Sequence, residues 1–162
     1  MTTPTAAPRG DIASFTREQF AHGGFSHAVY RKGSGPAVLI MTELPGITQF
    51  VLGFADRVAA IGCSAILPDL FGRAGYEPRD RAGWLAYGLR SLGQVCISRE
   101  FTTFAAGQAS PVVDYLRALA AREHARCGGP GVGVIGMCFT GGFALSMAVD
   151  ARVLAPVLAQ PS

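Results

Sequence analysis

Four short uncharged stretches, each about one strand long, punctuate the chain: Ala37–Met41, Cys63–Leu67, Val132–Ile135 and Val153–Leu158. A strand wetted on one face alternates apolar with polar residues, so an unbroken uncharged run fits a strand buried on both faces. Segments of helical period lie between these runs. Gln49–Ile61 carries apolar residues at Val51, Phe54, Ala55, Val58 and Ile61, and Gly62 follows as a stop signal. Ser110-Pro111 reads as an N-cap followed by proline at the first helical position. Val112, Val113, Leu116, Leu119 and Ala120 then form the stripe of a helix that ends near His124. Gly141–Val149 reads as a third helix. Strand and helix thus alternate from residue 37 onward. That order dictates an α/β fold: a mostly parallel sheet, right-handed crossovers, and helices on both faces.

The flanking segments are less regular. Phe25–Arg31 alternates weakly and runs into the turn cluster Lys32-Gly33-Ser34-Gly35-Pro36, which predicts an early β-hairpin. Residues 1–12, rich in Thr, Pro and Ala, read as a mobile arm, and residues 13–162 as part of one domain. Residues 72–109 have little periodicity and contain the single tryptophan, Trp84; short helices and loops are expected there, over a site.

Composition removes several function classes. Hydrophobic residues make up 49% of the 162 and charged residues 15%, which excludes disorder for the bulk of the chain. Lys+Arg 14 against Asp+Glu 11 gives a net charge of +3 with no run of like sign, so neither nucleic acid nor an anionic membrane is an expected partner. No apolar run approaches the roughly 18 residues of a membrane span. The opening MTTPTAAPRG has no apolar core of a signal peptide, so a cytoplasmic location is expected. Cys63, Cys96, Cys127 and Cys138 form no C-x-x-C pair and no metal-ligand spacing with histidine. Free thiols, and neither metal nor cofactor, follow from that pattern.

One motif carries chemistry. Val132-Gly133-Val134-Ile135 runs straight into Gly136-Met137-Cys138-Phe139-Thr140-Gly141-Gly142 and then into a helix. This is the nucleophile-elbow pattern with cysteine in place of serine. The nucleophile sits on a sharp, strained turn, so the residues two positions away must be small. Gly136 meets that need, and Thr140 meets it less well. The turn lifts the sulfur to the top of the sheet and places Cys138 at a helix N-terminus, where the dipole and the N–H groups favour a thiolate. The backbone N–H of Phe139 is then aimed at a developing oxyanion. The plain alternative is a buried cysteine in a tight βα turn. Gly131-x-Gly133-x-x-Gly136 also matches the dinucleotide fingerprint, but its glycines fall along the strand rather than after it, so nucleotide binding is not expected.

With these segments in hand, the chain resembles the dienelactone hydrolase family, cysteine members of the α/β-hydrolase fold. Three segments carry the resemblance in the family's order: Val38–Gly46, similar to its strand–Glu–loop; Ala65-Ile66-Leu67-Pro68-Asp69-Leu70-Phe71-Gly72, similar to its second strand end; and the elbow at Cys138. The resemblance implies Cys138 as nucleophile. It implies Glu43 as the carboxylate that pairs with the cysteine and controls its protonation, and the N–H groups of Leu44 and Phe139 as the oxyanion hole. A buried carboxylate beside a thiol disfavours the thiolate, so the nucleophile would rest neutral until substrate displaces the contact. The plain alternative for Glu43 is a loop acid near the start of the helix at Thr48.

The resemblance further implies a small ester or lactone as substrate and a triad running Cys, Asp, His. No histidine follows Cys138, and the one later acid is Asp150. His22 and His27 fall in the expected hairpin and His124 at a helix C-terminus, where a favourable dipole contact explains it. The last strands of such a sheet are absent, so the chain reads as the N-terminal portion of one α/β-hydrolase domain, with weak or no turnover by itself. Arg73, Arg79, Arg81, Arg90 and Arg99 lie in the segment over the site without an assigned role. The rival readings are a non-catalytic remnant that binds a small acyl ligand or a protein partner, and a redox role for Cys138. Oligomeric state is left open.

Overall fold

The computed structural model describes residues 8–72, 74–75, 83, 85–86, 89 and 110–159. Six strands, β1 (Thr16–His22), β2 (Phe25–Gly33), β3 (Ala37–Met41), β4 (Ser64–Pro68), β5 (Val132–Met137) and β6 (Val153–Ala159), form one sheet in the order β1-β2-β4-β3-β5-β6. The pairs β3/β4, β3/β5 and β5/β6 are parallel, while β1/β2 and β2/β4 are antiparallel. Three α-helices are described around it: α1 (Gln49–Ala60), α2 (Pro111–Cys127) and α3 (Gly141–Met147). Gly83, Leu85, Ala86 and Leu89 are also helical; the rest of the expected short helices and loops, with Trp84 and the five arginines named above, lies outside the described residues.

Three of the four uncharged runs, in β3, β4 and β5, are covered on both faces, whereas the fourth, in β6, is largely exposed because that strand ends the sheet order among the described residues. Ile40, Ala65 and Leu67 face α1 and pack with Val51, Leu52, Ala55 and Val58. Leu39, Met41, Ile66, Val132 and Val134 face the other way, against Leu116, Leu119, Phe143 and Met147 of α2 and α3. Helices therefore cover both faces of an α/β-hydrolase-like sheet. Thr48 caps α1 through its hydroxyl, which accepts from Val51 N–H at 3.4 Å. β6 lies at the sheet edge, with Leu154 and Val157 exposed.

Two further expectations change. Residues 8–12 are not an arm: Gly10 N–H donates to the Gln49 carbonyl at 2.8 Å, and Ile12–Ser14 form a 3-10 turn capped by Asp11. Residues 1–7 lie outside the described residues. The hairpin exists, but its first strand is β1, joined to β2 by Gly23-Gly24. Both glycines have positive φ, 60° and 86°, as a two-residue turn matching the strand twist requires.

A charge cluster ties this hairpin to α2. Glu123 is fully buried, yet Arg31 of β2 donates to one carboxylate oxygen at 3.1 Å and Arg122 lies 2.7 Å from the other. Arg122 also reaches Glu18 of β1 at 3.1 Å and stacks its guanidinium 4.4 Å from the Phe20 ring centroid. Removing Glu123 leaves partly buried guanidinium groups facing one another. Glu123→Ala is expected to lower unfolding stability in urea by about 2 kcal/mol, below the roughly 3–5 of a fully buried pair because water reaches the arginines. A loss within the range of ordinary surface substitutions would show that the cluster does not hold the hairpin.

Candidate active site

Parallel strands β3 and β5 are neighbours, with Met41 opposite Gly136, so the loops that leave them emerge side by side. One loop carries Glu43 and Leu44, the other Cys138 and Phe139. All four predicted site residues follow β3 or β5 within three positions, and adjacency of those strands is what brings the two loops together.

The elbow has the predicted geometry. Among the described residues Cys138 is the one non-glycine with positive φ, at 53°. That region costs an L-residue energy and persists where the surroundings over-determine it. The determinants are visible on either side. A Cβ on Gly136 would sit 2.3 Å from the Thr140 carbonyl oxygen and 2.8 Å from Gly141 Cα, so only glycine lets the strand end pass the start of α3 this closely. Thr140, bulkier than the glycine usual at that position, is fully buried and closes the turn. Its hydroxyl accepts from Met137 N–H at 2.9 Å and lies 2.8 Å from the Met41 carbonyl, to which it donates. The threonine thereby clamps the elbow to the end of β3, a bond glycine does not offer. Phe139 sets its ring edge-on to Phe143, centroids 5.5 Å apart, which anchors the residue after the nucleophile.

Opposite the elbow, Gly46 N–H donates to the Glu43 carbonyl at 2.8 Å and closes the turn that carries Leu44. The Leu44 amide donates to no group among the described residues. Leu44 and Phe139 pack against the same apolar cluster. Glu43 departs from the expectation of a buried partner for the thiol. It is exposed, and among the described residues its carboxylate forms no hydrogen bond or ion pair, Cys138 included. It stands at the rim of an open cavity of about 380 Å³ that Phe50, Phe54 and Met137 also line.

Among the described residues the acid and base of a triad are not assembled. Asp150, just past α3, receives the Arg152 guanidinium on both oxygens, at 2.9 and 2.7 Å. That contact holds its pKa down at about 2, so it is committed to a surface fork. His124 sits at the C-terminal end of α2, which leads into the start of β5 at the opposite end of that strand from Cys138, and its Nε2 lies 3.1 Å from the Gly129 carbonyl. His27 is on β2, three strand spacings from β5, or about 14 Å. His22 is farther out on β1. No group of three or more His, Cys, Asp or Glu converges among the described residues. Gly133 and Gly136 of the dinucleotide-like pattern lie inside β5, not in a phosphate-binding turn. Sequence reasoning left Asp69 and Glu123 without roles; both are acids that packing, not pattern, removes from water.

Comparison with known proteins gives a consistent result. The sequence model of the dienelactone hydrolase family matches residues 26–161. Among solved structures, one titled m3DLH is 23% identical with a TM-score of 0.56, covering 91% of this chain and 59% of its own. A dienelactone hydrolase-like promiscuous phosphotriesterase, P91, from metagenomic libraries is 20% identical with a TM-score of 0.59 and the same coverage. DcsB in complex with a substrate analogue is 16% identical with a TM-score of 0.59, covering 91% and 45%. At these identities the likeness concerns the fold, and the chain spans about three fifths of the length of the first two relatives. No curated protein sequence matches. No described helix is long and apolar enough to cross a membrane.

Proposed function

Because the chain belongs to the dienelactone hydrolase family, we propose that it acts on carboxylic esters or lactones with Cys138 as nucleophile. The observation that carries this reading is the strained φ of Cys138 at the junction of β5 and α3, clamped to β3 by Thr140. The Cys138 sulfur attacks the carbonyl carbon; a C–S bond forms, the carbonyl oxygen takes the charge, and the thiol proton passes to solvent. The Leu44 and Phe139 amides stabilise that oxygen. The C–O bond then breaks, the alcohol or phenol leaves, and a thioester remains. Glu43, one residue before Leu44, is assigned control of the thiol's protonation before substrate enters. Water would release the acid with help from a histidine–aspartate pair. No histidine of these residues reaches Cys138, so the chain by itself is expected to stop at the thioester. A cytoplasmic setting suits its free thiols.

A second reading is favoured by that same distance of all three histidines: a hydrolase-like module that binds an acyl ligand or a protein partner without chemistry. Reaction with p-nitrophenyl acetate separates the two. The nucleophile reading expects release of one equivalent of p-nitrophenol and an acetyl group that peptide mapping places on Cys138. No acetylation, or acetylation at Cys63 or Cys127, would overturn it in favour of the second.

A further inference from the structure

We propose that Asp69 is a positioning residue for the oxyanion loop: it organises the turn after β4 into a platform that holds the Glu43–Ile47 loop, and with it the Leu44 amide, beside Cys138. This inference rests on the assignment of Leu44 and Phe139 as oxyanion donors.

The platform begins where β4 ends. Asp69 N–H donates to the Ala28 carbonyl at 2.8 Å, which fastens the turn to β2. Beyond it, Gly75 N–H donates to the Ile47 carbonyl at 2.7 Å. Gly46, at φ 127°, brings its Cα so close that a Cβ there would lie 3.5 Å from Phe71 Cβ and 3.8 Å from the Gly72 carbonyl oxygen. Phe71 is 4% exposed and shares one apolar cluster with Leu44 and Phe139. The turn after β4 thus touches the loop that carries one oxyanion donor and packs with both.

Asp69 is an expensive residue for that place. Burial pushes its carboxyl pKa up, against the pull of the Gly72, Ala74 and Phe71 amides and of His27. Oδ1 is buried without a hydrogen bond among the described residues. An unsatisfied buried acceptor costs stability that an apolar side chain of similar size would not. What the carboxylate supplies in return is local: the Phe71, Gly72 and Ala74 amides of one turn donate to it. Without it the turn has no polar centre, and Phe71 and Gly72 are free to move away from Gly46.

The test compares two reactions of the same sulfur in the full chain. Acetylation by p-nitrophenyl acetate builds an oxyanion; alkylation by iodoacetamide is a direct displacement and builds none. Asp69→Ala is expected to slow acetylation of Cys138 by about tenfold, part of the roughly 10²-fold that deleting an oxyanion donor costs. Alkylation of Cys138 stays unchanged, and Asp69→Asn, which keeps an acceptor oxygen, restores most of the acetylation rate. The inference is overturned if both reactions slow together, if neither does, or if both variants unfold and expose all four cysteines to iodoacetamide at one rate. A wild-type protein alkylated but never acetylated at Cys138 marks failure of the underlying nucleophile assignment instead, and removes this inference with it.

Discussion

Cys138→Ala is expected to bring p-nitrophenol release down to the rate of the ester in buffer while leaving the fold intact. Alanine keeps the Cβ, so the positive-φ strain at this residue is the same in both proteins and stability should change little. What disappears is the sulfur on which the thioester forms. Cys63→Ala and Cys127→Ala serve as the comparison. Cys63 immediately precedes β4, and Cys127 ends α2, where Arg31 Nη2 donates to its sulfur at 3.0 Å. Both positions lie towards the N-terminal ends of the parallel strands, away from the elbow at the C-terminal end of β5, so both variants should retain the burst. Stopped-flow absorbance on the three variants checks this. A Cys138→Ala protein that still shows the burst would end the assignment of this residue as nucleophile.

Gly136→Ala is expected to cost about 3 kcal/mol, the upper range of overpacking, because the new methyl meets backbone rather than a movable side chain. It would stand 2.3 Å from one backbone atom and 2.8 Å from two others. Relief requires the strand end and the helix start to separate, which breaks the Thr140 clamp and displaces Cys138 and Phe139. Acetylation should fall together with stability. Gly133→Ala, three residues earlier on the same strand, provides the contrast. Its methyl would make ordinary contact, 3.4 Å from Val38 Cγ2, and removing a strand glycine should stabilise the chain by about 0.5–1 kcal/mol. Urea unfolding of the two variants decides the matter: similar stabilities would mean that Gly136 is not the residue that permits the tight strand-to-helix turn.

Much of this architecture was legible before any coordinates. Ala37–Met41 and Val132–Ile135 had to be uncharged because helices cover both faces of their strands, and that demand writes itself into consecutive residues. The elbow was legible for the same local reason: a strained turn needs glycine at 136, and strain is decided by atoms two to four residues apart. β1 was harder to see. Its sequence TREQFAH is mostly polar because it is a largely exposed edge strand with Phe20 alone reaching the core cluster, and the hairpin was legible from Phe25–Arg31 and the turn cluster after it, on the far side of β2 from the actual turn at Gly23-Gly24. Residues 8–12 read as an arm because their contacts are with α1, forty residues away.

Long-range acids were illegible. Glu123 lies in the run AREHAR and looks like any glutamate on a helix surface. It is buried only because α2 lays that turn against β2, where Arg31 meets it. Glu43 stands beside Leu44 as the resemblance implies, yet it is exposed, because burial depends on what packs over a loop and not on the loop's own residues.

Sequence alone determined the α/β alternation and which cysteine sits on a strained strand-to-helix turn, since each follows from periodicity or from sterics within a few residues; the family was legible as the resemblance of three ordered segments. The tertiary structure decided the strand order that sets the loop of Leu44 beside the elbow, the Thr140 clamp across two strands, the separation of all three histidines from the sulfur, and the contact of the turn after β4 with the Glu43–Ile47 loop. Those are relations between segments distant in the chain, and the free energies that set them belong to pairs of surfaces that no single stretch of residues contains.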